Sequence, residues 1–367
     1  MATQIATERA YNFSAGPAVL PVPVLEQIRD EMLCLPGARA SVMELSHRSK
    51  EFVAVHEDAK ARLSRLLGLG ENHELLLLQG GSRLQFSMIP MNLLHEQKPA
   101  QYIVTGSWGK NALAEAKKVG AVEVAYDAAE SNYNHVPDVG ALPIAADASY
   151  LHVTSNETIQ GVQFHDDLAV EPPLVSDVSS DFLHRPYDIE RYGLMYACAQ
   201  KNAGPAGVTV VVIRKDLLER SDDNLPGYMN YNSHVAADSM WNTPPTFAIY
   251  VLGLVAKWLE DTVGGLEKMH ELNQAKAKVL YDVVDAFPEL YIGHARKEHR
   301  SLMNVTFRFS DDAIQSDFLG GTEDAGLTTL KGHRSVGGIR ASIYNAMPME
   351  GVQALADYMR DFAAKHS

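Results

Sequence analysis

Six short runs of almost unbroken apolar residues limit what this chain can fold into more than any other feature. They are Glu74-Leu75-Leu76-Leu77-Leu78, Gln101-Tyr102-Ile103-Val104-Thr105, Tyr150-Leu151-His152-Val153, Leu174-Val175-Ser176-Asp177, Leu194-Met195-Tyr196-Ala197 and Val208-Thr209-Val210-Val211-Val212-Ile213. A strand wetted on one side alternates apolar and polar residues, whereas strands covered on both faces read as continuous apolar runs. Helix-like segments fall between them, from Gln85 to Leu94 and from Ala112 to Lys118. This βα rhythm predicts an α/β fold, a mostly parallel mixed sheet covered by helices.

Downstream the pattern changes. A long helical stretch starts near Thr246 and continues through Trp258 and Leu266 to Phe287, Met303 to Phe309 alternates as a half-buried strand, and a last helix runs from about Met349 to Ala364. A length of 367 residues suits a large domain with a smaller partner. The expected division is a large domain over 15–261 and a smaller α+β domain over 262–367, with segment 1–14 packed near the latter.

The formal net charge of -14 argues against a general nucleic-acid-binding surface, although local basic pairs can still hold small anions. Cys34 and Cys198 are the two cysteines and no CxxC occurs, so neither a disulfide scaffold nor a metal site is expected. The first ten residues lack a signal-peptide apolar core, and no stretch approaches the roughly 20 apolar residues of a membrane span. The expected compartment is the cytoplasm, with no membrane partner.

The chemistry gathers at predicted strand ends. Lys201 closes the run Tyr196-Ala197-Cys198-Ala199-Gln200 and opens the glycine-punctuated stretch Asn202-Ala203-Gly204-Pro205-Ala206-Gly207. An amine held there is partly desolvated, which favours the neutral nucleophile of Schiff-base chemistry. Asp177 ends another strand in a carboxylate. Gln79-Gly80-Gly81-Ser82-Arg83, between a strand and a helix, lets backbone N–H groups approach an anion at a helix N-terminus. Trp108 stands beyond a third strand, where an indole can stack on a flat ring. Asn156-Glu157-Thr158 follows a fourth and offers a hydroxyl. Taken singly, each has a plain structural reading: a snorkelling lysine, a tight turn, a core tryptophan. Loop, aromatic plate, hydroxyl, acid and lysine nevertheless follow one another in the order that a pyridoxal-phosphate site on an α/β sheet requires.

Five longer segments carry a resemblance: Asn12-Phe13-Ser14-Ala15-Gly16-Pro17, Met43-Glu44-Leu45-Ser46-His47-Arg48, Ala199-Gln200-Lys201-Asn202-Ala203-Gly204-Pro205, Asn242-Thr243-Pro244-Pro245-Thr246, and Gly332 to Asn345 with His333-Arg334 ahead of Arg340. Together they resemble the phosphoserine aminotransferases, a family of the class V aminotransferases with the aspartate aminotransferase-like type I fold. The resemblance implies pyridoxal 5'-phosphate as cofactor and a homodimer with shared active sites. It implies Lys201 as the Schiff-base lysine, Asp177 as partner of the pyridine nitrogen, Trp108 as the stacking residue and Thr158 as the hydroxyl near the phenolic oxygen. Backbone groups of Ser82 and Arg83, the Gln200 side chain, and Asn242 and Thr243 of the partner subunit are implied as phosphate holders. Arg340 is implied as the clamp on the substrate α-carboxylate, and His47, Arg48, His333 and Arg334 as the receptor of the substrate phosphate. The substrates so implied are O-phospho-L-serine, glutamate and 2-oxoglutarate, with 4-phosphohydroxy-L-threonine as a further one.

The sequence departs from the family pattern at Ser82, where a third glycine is common, at Ala15, often serine, at Ser335, often bulkier, and across 232–241. Other readings remain. Alanine:glyoxylate or serine:pyruvate transamination shares the cofactor floor but has little use for two His-Arg pairs. A cysteine desulfurase needs a mobile cysteine, which neither Cys34 nor Cys198 resembles. A non-catalytic scaffold has no need of both Lys201 and Asp177, and a nicotinamide dehydrogenase calls for the GxGxxG that is absent here.

Overall fold

The structure, a computed structural model, describes residues 9–94 and 97–366. Seven strands form the central sheet in the order His73–Gly80, Gly207–Arg214, Tyr192–Cys198, Leu174–Asp177, Leu151–Thr154, Ala100–Val104 and Val122–Asp127. Gly207–Arg214 runs antiparallel to both neighbours, and every other adjacent pair is parallel. The strands over Leu151–Thr154, Leu174–Asp177 and Tyr192–Cys198 are buried at every residue, which is why they read as continuous apolar runs.

Successive side chains of a strand serve opposite faces. Leu75, Leu77, Met195 and Ala197 pack with Phe52, Leu63, Ile249 and Leu252 of the helices Lys50–Leu67 and Thr246–Trp258. Leu76, Leu78, Tyr196 and Val211 pack instead with Phe86, Ile89 and Ala112 of the helices Ser82–Leu93 and Ser107–Ala116. Each fully buried Leu, Ile or Phe contributes roughly 1.5–3 kcal/mol relative to its exposed state.

Three predicted elements shift. The helix expected from Gln85 begins at Ser82, and the one expected from Ala112 begins at Ser107, so both start at the ends of the preceding strands. The long helical stretch divides into Thr246–Trp258 and Leu266–Ala286, separated by a π-helical turn, Leu259–Val263, and by Gly264 and Gly265 at φ +91° and +100°. A residue at such positive φ cannot continue a right-handed helix, and glycine reaches it without the Cβ clash of other residues.

Beyond this break lies a separate apolar cluster. Leu280 and Val284 of Leu266–Ala286 meet Val305 and Phe307 of the strand Asn304–Arg308, together with Leu355 and Met359 of the last helix, Met349–His366. Asn304–Arg308 is the middle of a three-stranded antiparallel sheet between Ile292–Gly293 and Ile339–Ser342. Tyr11–Asn12 pairs in parallel with Leu327–Thr328, and Phe13 enters this same cluster. Residues 1–8 of the segment expected to pack nearby lie outside the described residues. Among the described residues, no helix is long and apolar enough to cross a membrane.

Candidate active site

Leu174–Asp177 and Tyr192–Cys198 are parallel neighbours, with Asp177 opposite Tyr196, so their C-terminal ends open on the same edge of the sheet. Ligands of open α/β sheets bind at that edge. Asp177 is 4% exposed. Its Oδ1 accepts the Ser179 N–H at 2.9 Å and the Ser179 hydroxyl at 2.5 Å. Burial raises the Asp177 pKa, and Lys201 together with the Ser179 donors opposes that rise.

After Cys198 the chain turns sharply. Ala199 donates to the Val208 carbonyl at 3.0 Å, and the Ala199 carbonyl accepts from Ala203 and Gly204 at 3.1 and 2.8 Å. Lys201 projects from this turn and donates from Nζ to Thr158 Oγ1 at 2.7 Å. Its Nζ lies 4.9 Å from the centre of the Trp108 ring, and the Arg83 guanidinium lies 5.5 Å from the same centre. Both distances are within cation–π range.

Thr158 is set by a two-stranded hairpin, Asn156–Glu157 paired antiparallel with Val162–Gln163. Sequence reasoning assigned nothing to Glu157. This wholly buried carboxylate accepts the Trp108 N–H at 2.9 Å and the Gly109 N–H at 2.8 Å, with burial pushing its pKa up to about 7 against those two donors. A negative group at a helix start is a recognisable pattern, but here it comes from 49 residues away in sequence.

The glycine loop leads into Ser82–Leu93, whose N-terminus has no side-chain cap, with Gly80 at φ +112°. The Ser82 hydroxyl turns inward, 2.6 Å from Ser179 Oγ. Ser179 has already directed its one hydroxyl proton to Asp177, so Ser82 is the donor, and a relay runs from Ser82 through Ser179 to Asp177. Asn242 donates to Gln79 Oε1 at 2.7 Å, directly ahead of the glycine loop, and Thr243 follows it.

Arg340 occupies the middle of Ile339–Ser342, opposite Thr306. It is half-buried and, among the described residues, has no ion-pair partner. Burial lowers its pKa. It shares a small cleft with Ile159, Thr306 and His333. Burial, Arg340 and Arg334 together push the His333 pKa down, as expected where positive charge gathers without an anion to balance it. His47 and Arg48 lie on the turn before Lys50–Leu67, and among the described residues no hydrogen bond or ion pair joins them or Thr243 to Lys201, Asp177 or Arg340.

These residues fit pyridoxal phosphate. The Trp108 indole Nε1 and Gln200 Oε1 are buried polar atoms without a protein partner. They border an uncapped helix N-terminus suited to a phosphate, a buried carboxylate suited to a ring nitrogen, and an amine. Cys34 is exposed and Cys198 buried, and neither has a place in this arrangement.

Comparison with known proteins agrees with that chemistry. The aminotransferase class-V family matches residues 10–355. A phosphoserine aminotransferase of Rhodopirellula baltica is 57% identical, covering 98% of this chain and 96% of its own. The solved phosphoserine aminotransferase of Bacillus circulans subsp. alkalophilus superposes with a TM-score of 0.95 at 46% identity, over 98% of this chain and 100% of that one. The pyridoxal-phosphate-bound phosphoserine aminotransferase of Trichomonas vaginalis gives 0.91 at 42% identity, over 96% and 100%.

Proposed function

The chain belongs to the class-V aminotransferases and, within them, to the phosphoserine aminotransferases that work with pyridoxal phosphate, and on that premise we propose how its own residues divide the work. The proposed exchange runs between O-phospho-L-serine with 2-oxoglutarate and 3-phosphohydroxypyruvate with L-glutamate, a step toward L-serine. When bound, the cofactor supplies an aldehyde that takes up the donor's amino group and a ring that accepts the electron pair released at Cα.

Asp177 keeps a proton on the ring nitrogen, and the Ser82–Ser179 relay holds its carboxylate in place. Trp108 supports the ring face and Thr158 gives its hydroxyl to the ring oxygen. Lys201 would hold the cofactor through its amine and, when that amine is free and neutral, would take the substrate Cα proton onto Nζ. The backbone N–H groups of Ser82 and Arg83 and the side chain of Gln200 hold the cofactor phosphate, joined by Asn242 and Thr243 of the partner subunit. Arg340 grips the substrate carboxylate with the planar fork that suits bidentate pairing. His333 and Arg334, with His47 and Arg48, receive the substrate phosphate or the side-chain carboxylate of glutamate.

In a homodimer with shared sites, His47 and Arg48 would serve the partner's pocket. Met43 and Trp241, close in sequence to His47 and Asn242, are 56% and 53% exposed, apolar side chains that a second subunit would cover. The cytoplasm is the proposed compartment.

The observation that carries the reading is the convergence of Lys201, Thr158 and Trp108 beside buried Asp177. The test is to add O-phospho-L-serine to the purified protein loaded with pyridoxal phosphate and follow the visible spectrum. Conversion of the cofactor band with phosphoserine but not L-serine, lost in Lys201→Ala, is the expected result. No band in the wild type overturns the cofactor assignment, and an equal response to serine overturns the phosphate assignment. 4-Phosphohydroxy-L-threonine added in the same way tests the longer substrate.

A further inference from the structure

We propose that Glu157 is a positioning residue for the aromatic plate: its carboxylate, clasping the backbone of Trp108 and Gly109, fixes the distance between the indole ring and the Lys201 amine. The proposal rests on the reading that Trp108 and Lys201 face the cofactor.

Space for this carboxylate is built into the chain. Gly106 has an extended φ of 175°, which any residue can adopt, so its lack of a side chain serves clearance and not conformation. A methyl group there would lie 2.5 Å from Glu157 Cδ and 2.6 Å from both its Cγ and Gln160 Oε1. A Cβ on Gly109 would come within 3.3 Å of Glu157 Oε1. The first turn of Ser107–Ala116 is thus closed over Glu157, with one carboxylate oxygen on each of two consecutive N–H groups at 2.9 and 2.8 Å.

The residue after Glu157 is Thr158, which holds Lys201 Nζ at 2.7 Å. Two consecutive residues of one short hairpin therefore hold the plate and the amine. Gln160, across the same turn, donates to Ser107 Oγ at 2.9 Å and accepts the Thr306 hydroxyl on its carbonyl at 3.0 Å. Thr306 is the register partner of Arg340, so the hairpin that sets the ring also abuts the strand bearing that arginine.

A carboxylate suits the clasp because both its oxygens accept. In a carboxamide, one oxygen becomes an NH₂ that faces an N–H, and in an aspartate the stem is one methylene too short to span both donors. The experiment uses Glu157→Gln, Glu157→Asp, Trp108→Phe and the Glu157→Gln/Trp108→Phe double variant, each prepared free of cofactor and titrated with pyridoxal phosphate. Visible circular dichroism of the bound cofactor and its dissociation constant are read for each.

For Glu157→Gln, the expected result is a dissociation constant raised about tenfold or more, from loss of a charge-assisted hydrogen bond, with a weaker visible dichroic band and an unchanged far-ultraviolet spectrum. On the Trp108→Phe background the same change is expected to have a markedly different effect, because the plate it positions is altered. If Glu157→Gln fails to fold, Glu157→Asp carries the same expectation. Wild-type affinity and dichroism in the folded variant, or an effect of equal size with and without Trp108, overturn the proposal. Failure of the wild type itself to bind pyridoxal phosphate overturns the site reading beneath it.

Discussion

Asn345 donates its backbone N–H to the side-chain oxygen of Asn202 at 2.8 Å, tying the residue beside Lys201 to the turn that follows the Arg340 strand. Asn202 in turn donates to the Phe182 carbonyl at 2.6 Å, and Asn345 to the Leu183 carbonyl at 2.9 Å. Beneath the turn, Lys276 is 2% exposed and gives its ammonium to the carbonyls of Ile343, Tyr344, Asn345 and Met347 at 2.6–3.3 Å. Lys276→Met fills the same space with an apolar chain and leaves those buried carbonyls short of a donor. The expected cost is about 3 kcal/mol, read as a lower urea midpoint. A wild-type midpoint means the turn is held by its asparagines alone.

Removing the amine at 201 tests the attachment directly. Lys201→Ala is expected to fold with wild-type far-ultraviolet dichroism, yet to show no covalent cofactor adduct by mass spectrometry after borohydride reduction. Thr158→Val keeps the volume and deletes the hydroxyl at 2.7 Å from Lys201 Nζ. A lost buried hydrogen bond of roughly 1–3 kcal/mol corresponds to a fall in kcat/KM of about 5-fold to 160-fold. Unchanged kinetics in that variant remove Thr158 from the reaction.

Arg340 has the plainest expected phenotype. Arg340→Lys retains charge but loses the planar fork, so kcat/KM for both O-phospho-L-serine and glutamate should fall about a hundredfold, mainly through KM. Arg334→Gln should raise KM for phosphoserine more than for an uncharged amino acid, since its charge is directed at the phosphate. Equal losses for charged and uncharged donors would place Arg334 outside the pocket.

What could be read from the sequence follows burial. The doubly covered strands announced themselves as apolar runs, and Leu174–Asp177 was delimited to the residue. Val122–Asp127, at the sheet edge and half exposed, mixes polar and apolar residues, so its strand character did not show. The extent of Lys50–Leu67 is hard to read from sequence although Ser49 caps it, because its many charges hide the stripe of Phe52, Ala59, Leu63 and Leu67. At the site, Asp177 and Lys201 were visible as polar ends of apolar strands, and the structure brings Thr158 and Trp108 to Lys201. Glu157 was not visible, because what singles it out is two N–H groups that only the folded chain brings to it.

His152 gives a prediction in which pH is the variable. It lies in the middle of the sheet, stacked on Tyr102 with ring centres 4.8 Å apart, and its Nε2 is 2.9 Å from the Tyr196 hydroxyl. Burial alone pushes its pKa down to about 3 from 6.5. Between those values the unfolded chain binds a proton that the native state refuses, so acidification favours unfolding. This contribution to stability is complete above pH 6.5 and is lost as pH falls toward 3, with a slope of up to about 1.4 kcal/mol per pH unit. Glu157 and Asp181 act in the opposite sense, since burial raises both to about 7 and their protonation below that pH relieves a buried charge. Total stability therefore mixes the two signs, and the informative quantity is the difference between wild type and His152→Gln, whose amide does not titrate. Urea unfolding from pH 7.5 to 5.0 should show the variant gaining on the wild type below pH 6.5, whereas parallel curves would mean that His152 takes up its proton within the fold.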